Sequence, residues 1–186
     1  LRLLRESLIE IGAHRITDKL LFPLERQVHC FGFHLAKLDI RQNSAFHDKA
    51  MDQILALALP HLRPYSSWTE DEKISFLTAE LQSTRPFAVA ETLFGEEADK
   101  VLDCYRAVQH HIQQYGADGV GSFIVSMTRS LSDLLVVYLL MRETGLSNYT
   151  LPVVPLFETI DDLKNGPSIL DAYLSHPARK KQPHTI

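Results

Sequence analysis

The chain has 186 residues, 45% of them hydrophobic, enough for one ordinary domain with a buried core. Its 19 Lys and Arg against 23 Asp and Glu leave a net charge of −4, so nothing electrostatic recommends nucleic acid or an anionic membrane surface as a partner. No run approaches the roughly 18 continuous apolar residues of a membrane span, and the opening LRLLRESLIEIG is an amphipathic charged pattern rather than a secretion signal.

Helical periodicity opens the chain in two blocks. The first carries Leu1, Leu4, Leu8 and Ile11; the second runs from Thr17, as N-cap, to about Phe33, with Pro23 marking a later alternative start. HLAKLDIRQ then alternates sides and suits a short strand. Ser44 opens a helix over SAFHDKAMDQILALAL that closes near Pro60, with His47 one turn in and facing solvent. Thr69 followed by Glu72 has capping-box spacing, and Trp68 packs just before it as a staple. A helix over EEADKVLDCYRAVQHHIQQY ends at Gly116. His110 and His111 fit no zinc spacing with Cys104 and belong on that helix's surface. GVGSFIVSM is a second, buried strand, and SLSDLLVVYLLMRETG a helix from Ser130, again with an acid, Asp133, three residues on. LPVVPLFE is the third strand. A helix capped by Thr159 and Asp162 follows, in two parts around Gly166 and Pro167.

The order is a helical lead-in over 1–33, then 34–186 as β, α, β, α, β, α with a helical insertion at about 61–118. Strands separated by helices imply parallel pairing and right-handed crossovers, hence a helix-rich α/β class. Three strands are too few for the eight of a (β/α)8 barrel, which takes about 250 residues. The alternatives are a small open sheet or part of a barrel. Cys30 and Cys104, far apart and in no paired motif, read as buried reduced thiols of a cytoplasmic protein. The chain begins without Met and reads as a piece of something longer.

In parallel α/β folds chemistry collects at the carboxyl ends of strands. Here those ends carry Arg41, Arg129 and Glu158. An arginine can hold phosphate or carboxylate in a bidentate fork, and a carboxylate can hold a hard divalent cation. By pattern alone Arg129 is a surface loop cation. Glu158 precedes its helix cap and is not needed for capping. A salt bridge across the strand ends and a role in a site account for it, and for Arg41, equally well.

Four stretches, in order, carry a resemblance. FGFHLAKLDIRQNSAFH resembles the FG-x-x-L-x-x-LDIRQ-(E/N)S-x-x-H block of the phosphoenolpyruvate carboxylase family. SWTEDEKISFLTAELQSTRP is similar to its W-x-E-x-(D/E)-K-x-x-F-L-x-x-EL-x-x-RP segment. VGSFIVSMTRSLSDLLVVYLLMRETGL resembles its ISM-x-(K/R)-x-x-SD block, and LPVVPLFETIDDLKN its P-V-x-PLFET-x-DDL-x-N block. Together they cover roughly residues 26 to 170.

The resemblance implies a partial (β/α)8 TIM barrel of about three parallel strands with extra helices. It implies an anaplerotic lyase that carboxylates phosphoenolpyruvate with bicarbonate to oxaloacetate and phosphate, feeding the tricarboxylic acid cycle, in a cytoplasmic homo-oligomer, tetrameric by family resemblance. The cofactor is Mg2+ or Mn2+. The family's PLFET glutamate, a metal ligand, matches Glu158, and its LDIRQ arginine, in the substrate site, matches Arg41. The family's TAHPTE-like histidine motif, its YSDS-like aspartate motif and its Gly- and Arg-rich loop are not found here. The expectation is therefore an internal fragment, inactive by itself. The alternative is a non-catalytic binding or assembly module on the same scaffold.

Overall fold

A computed structural model describes residues 1–87, 89, 92–149 and 151–180. It divides into two compact units, Leu1–Leu38 and Asp39–Ile186.

The first unit is helical. α1 (Arg2–Glu10) is followed by α2 (His14–Ile16), which runs through a π turn at Thr17–Leu21 into α3 (Phe22–Phe31). Thr17 is thus not the expected N-cap. It is buried inside a continuous helical stretch, and its hydroxyl donates back to the Ala13 carbonyl at 3.3 Å. Pro23 sits in the first turn of α3, where its missing N–H costs nothing. Arg5 forks onto the Glu25 carboxylate and ties α1 to α3. Cys30, expected to be buried, is exposed on α3. The chain then turns through His34–Lys37, with Leu35 at φ +62°, so the first strand starts later than the alternation suggests.

The second unit holds the sheet. β1 (Leu38–Asn43), β2 (Val120–Ser126) and β3 (Val153–Leu156) lie in the order β1-β2-β3. β2 and β3 are parallel, with Phe123 opposite Val153 and Ser126 opposite Leu156. On the other side Asp39 accepts from the Ser122 N–H and the Gln42 carbonyl from the Ser126 hydroxyl. These contacts advance together along both strands, as parallel neighbours must.

The helices between the strands are α4 (Ser44–Ala58), α5 (Glu70–Glu80), α6 (Glu96–Tyr115) and α7 (Ser132–Glu143). α8 (Ile160–Ser175) and the short α9 (Pro177–Lys180) follow β3. α7 is buried all round from Ser132 to Arg142, as its run of Leu, Val and Met requires, and packs against α4, α5, α6 and β3. Met51, Leu77, Leu102, Tyr105, Phe123 and Leu134 are fully enclosed around it.

The capping boxes at Thr69–Glu72 and Thr159–Asp162 are both formed. The third, Ser130–Asp133, is not. α7 begins at Ser132 with Leu131 as N-cap, and Asp133 turns back to accept from the Arg129 N–H at 2.8 Å and from its guanidinium. α8, expected in two parts, is unbroken. Pro167 lacks only its own N–H, and Gly166 leaves room for the Phe157 ring, which a Cβ would meet at 3.2 Å. Trp68 packs between Tyr65 and Phe76. His110 and His111 are exposed on α6. Among the described residues no helix is long and apolar enough to cross a membrane.

Candidate functional site at the strand ends

The β2–β3 register sets Ser126 level with Leu156, so Met127 and the residues after Leu156 leave the sheet side by side. Glu158 reaches back across that gap. Its Oε2 accepts from the Met127 N–H at 3.0 Å, and its Oε1 from Arg41 Nη2 at 2.5 Å. The two groups singled out in the sequence, 117 positions apart, therefore meet above the sheet, Arg41 with its side chain 56% exposed and Glu158 31%. They are within reach of solvent and of a ligand.

The turn beneath them is tightly fixed. Met127 has φ +54°, the left-handed region that costs a side-chain-bearing residue about 1 kcal/mol or more. Its carbonyl accepts from the buried Ser44 hydroxyl at 2.7 Å. Thr128, fully buried, donates its N–H to the Leu156 carbonyl at 3.2 Å and its hydroxyl to Val125 at 2.7 Å. Ser126 Oγ donates to the Gln42 carbonyl at 3.3 Å. Ser44 heads α4, where Asn43 is the N-cap and accepts from the Ala45 N–H at 2.8 Å.

His47, expected to face solvent, is buried, with Nε2 2.9 Å from Gln42 Oε1. Burial pushes its imidazole pKa down to about 4, against the pull of Asp48, so the ring is neutral near pH 7. Arg129 is not a free loop cation. It bonds Asp133 at 2.7 Å and Asp48 at 2.8 Å, and Asp48 also accepts from Lys73 at 2.9 Å. Hydrogen bonds to Asp133 first, then Asp48, hold the guanidinium above its ordinary pKa, with partial desolvation opposing them. This network braces α4, α5 and the start of α7 rather than facing the site. A groove of ≈ 660 Å³ opens beside Arg41, Gln42 and Ser126, bordered by Phe46, Lys49 and Lys100.

A hard divalent cation is the ligand that an accessible carboxylate at this place would take. Magnesium accepts one or two carboxylates and completes its shell with water and substrate oxygens. Glu158 fits as one such ligand, since each oxygen has a lone pair beyond the bond it already accepts. Among the described residues no three His, Cys, Asp or Glu side chains gather to offer more. The strand-end pattern pointed to Arg41 and Glu158; Gln42, Ser44, His47 and Met127 are fixed positions of the family blocks, which assigned them no role. Their contacts are tertiary, and no local spacing signals them.

The sequence profile of the phosphoenolpyruvate carboxylase family matches residues 1–184. Among the curated relatives, the phosphoenolpyruvate carboxylase of Mycobacterium avium (strain 104) is 41% identical over 178 residues, covering 92% of this chain and 19% of that protein. That of Rhodopseudomonas palustris (strain BisA53) is 39% identical over 178 residues, 94% of this chain and 19% of the relative. That of Synechocystis sp. (strain ATCC 27184 / PCC 6803 / Kazusa) is 37% identical over 182 residues, 95% of this chain and 17% of the relative. The chain thus spans about a fifth of the length of the curated relatives it matches.

Proposed function

The chain belongs to the phosphoenolpyruvate carboxylase family, and on that premise we propose that it forms part of an enzyme joining bicarbonate to phosphoenolpyruvate, with oxaloacetate and inorganic phosphate as products. In this reading its three strands contribute to a (β/α)8 barrel in a cytoplasmic homo-oligomer, and the strand ends described above form one side of the active site. The observation that carries the reading is the meeting of Arg41 and Glu158 over the carboxyl ends of β1 and β3. An acid and a base drawn from distant segments converge where parallel α/β folds place their chemistry.

Glu158 would supply one carboxylate ligand to magnesium or manganese, its carboxyl plane fixed by the Met127 N–H. When bound, the divalent cation supplies positive charge beside the enolate oxygen that develops as phosphate leaves. Arg41 would hold an anionic group of the substrate through its planar fork. That role requires it to give up Glu158, and the half-exposed guanidinium is free to swing. The groove beside Arg41 supplies the space; Lys49 and Lys100 on its border are balanced by Glu96 and Glu97, with Lys100 paired to Glu96 at 2.6 Å, so the charge offered to an anion is that of Arg41. One carboxylate and one arginine are too few groups to complete a carboxylation, so the isolated segment is inactive.

Glu158→Gln in the full-length protein tests this. It removes the ligand's charge while keeping its size. The expected outcome is a folded protein with much weaker activation by magnesium and turnover down by at least about 100-fold, since losing a ligand's charge should cost no less than losing a group that merely supports a ligand. A near-normal rate with unchanged metal dependence would sink the assignment. Arg41→Lys should raise the KM for phosphoenolpyruvate or lower kcat, because an ammonium cannot reproduce a bidentate fork. Normal kinetics would return Arg41 to a salt bridge and nothing more.

A further inference from the structure

Ser44 takes no part in the helix cap it stands next to. Asn43 caps α4, and the Ser44 hydroxyl instead crosses 83 positions to bond the Met127 carbonyl at 2.7 Å. Ser44 is only 1% exposed, so no water competes for that bond. The peptide it holds flanks a residue in an unfavourable backbone conformation, Met127 at φ +54°. A strained conformation persists only where its surroundings over-determine it. Here four bonds do so: Ser44 to the Met127 carbonyl, Ser126 to Gln42, and two from Thr128, to Leu156 and to Val125. The strain has a visible product. The positive φ turns the peptides on either side of Met127 apart, so that the Met127 N–H donates to Glu158 Oε2 at 3.0 Å while the next N–H, of Thr128, takes up the ladder to the Leu156 carbonyl of β3.

We infer that Ser44 is a positioning residue, which pins the peptide after Met127 and, through that residue's left-handed conformation, the peptide before it, whose N–H orients the Glu158 carboxylate for a divalent cation. The inference rests on the reading of Glu158 as a cation ligand. It adds to that reading a buried hydroxyl on α4 that never touches the cation. The physical chain runs from the hydroxyl through one carbonyl and one left-handed residue to a single N–H. Without the Ser44 bond Met127 relaxes toward negative φ, the N–H turns away, and the carboxylate keeps only the swinging side chain of Arg41. Supporting groups of this kind change metal affinity by roughly 10- to 100-fold.

The test uses Mn2+ as the probe, titrated into the full-length protein and followed by electron paramagnetic resonance of the free ion, with no substrate and no turnover. Ser44→Ala should bind Mn2+ about 10-fold more weakly. Ser44→Ala/Met127→Gly should recover most of that affinity, because glycine adopts positive φ without strain and needs no clamp. A purely structural role would not produce this rescue, since glycine in place of Met127 would only loosen the turn further. Ser44→Cys, which fills the same space with a poor donor, should lose affinity in the same direction and carries the test if Ser44→Ala does not fold. Glu158→Gln is the reference. If it loses Mn2+ while the Ser44 variants bind normally, the positioning role is overturned and the reading of Glu158 stands. If Glu158→Gln also binds normally, both fall together. A Ser44 loss that Met127→Gly does not rescue overturns the proposed route through the strained turn.

Discussion

His47 is 1% exposed between Tyr105 and Phe123, and its lowered pKa of about 4 has a direction that can be measured. The folded imidazole resists protonation while the unfolded one titrates near 6.5, so unfolding takes up a proton between about pH 6.5 and 4. Stability is therefore fully present above pH 6.5 and falls as the solution is acidified through that window, by on the order of 3 kcal/mol for this group. The Glu72 carboxylate works in the same acid direction, held near pKa 2 by Arg63 and Thr69. Isolating His47 therefore needs a comparison. His47→Gln should flatten the slope of the urea midpoint between pH 6.5 and 4, and an unchanged slope would show that the ring titrates normally. Arg142 offers a second residue-scale expectation. Its guanidinium is buried, donates to Glu143 at 2.8 Å and to the Glu80 carbonyl at 2.7 Å, and stacks on Phe87. Arg142→Met should cost about 3–5 kcal/mol, because Glu143 is left charged in a site whose burial already raises its pKa. A urea titration at fixed protein concentration reads this directly. Neither residue announced itself in the sequence. His47 stood at a position that helical spacing assigns to solvent, and only the arrival of β2 and α6 buries it.

At the scale of elements, what was legible was what is local. The Thr69–Glu72 and Thr159–Asp162 boxes form because both partners lie within one turn; Arg63 also reaches Glu72 but leaves its bond to the Thr69 N–H in place. Thr69→Ala should cost about 1 kcal/mol, seen as a lower urea midpoint, and no loss would mean that Glu72 is held by Arg63 alone. Ser130–Asp133 has identical spacing and fails: Leu131 becomes the N-cap, and both Asp133 oxygens are taken by the N–H and guanidinium of Arg129, just ahead of the expected box. Thr17 fails for another reason, since it lies inside a π turn that a helical repeat does not reveal and its hydroxyl bonds back to the Ala13 carbonyl. In α8 the Gly166–Pro167 pair reads as a break. Yet the glycine serves a contact rather than a bend, with the Phe157 ring lying where a Cβ would stand. The strand ends were legible for the opposite reason. Arg41 and Glu158 lie beside apolar runs whose ends are easy to find, whereas the Ser44 hydroxyl and the Met127 backbone meet only through the tertiary fold.

The molecule as a whole leaves much apolar surface open. Phe33, Leu35, Leu38, Ile160 and Leu163 are strongly exposed, and β1 and β3 are the outer strands of a three-stranded sheet. An outer strand presents a row of free N–H and C=O groups, and a short open sheet with bare edges recruits partners. The isolated chain should therefore associate, by edge pairing or by burying these side chains against another copy. Static light scattering across a concentration series checks this, and a clean monomer at every concentration would refute it. The sequence foretold a helix-rich α/β protein with three strands because each strand is set off by helices of ordinary length. What would cover each outer edge is not encoded by any periodicity of these residues.

The strand order β1-β2-β3 carries one more consequence, for the ribosome. β1 is finished at Asn43 and its neighbour begins at Val120, so about 80 residues must be made before β1 has a partner in this sheet. At ordinary elongation speeds that interval is roughly 4 to 15 seconds. The helices α4, α5 and α6, all encoded within it, form in about a microsecond once they emerge. The nascent chain thus packs its helices first and carries an unpaired strand, with Arg41 near its end, through the whole of that wait. The strand-end site closes only when β3 emerges, because Leu156 accepts from Thr128 in the Met127 turn and Glu158 follows two residues later.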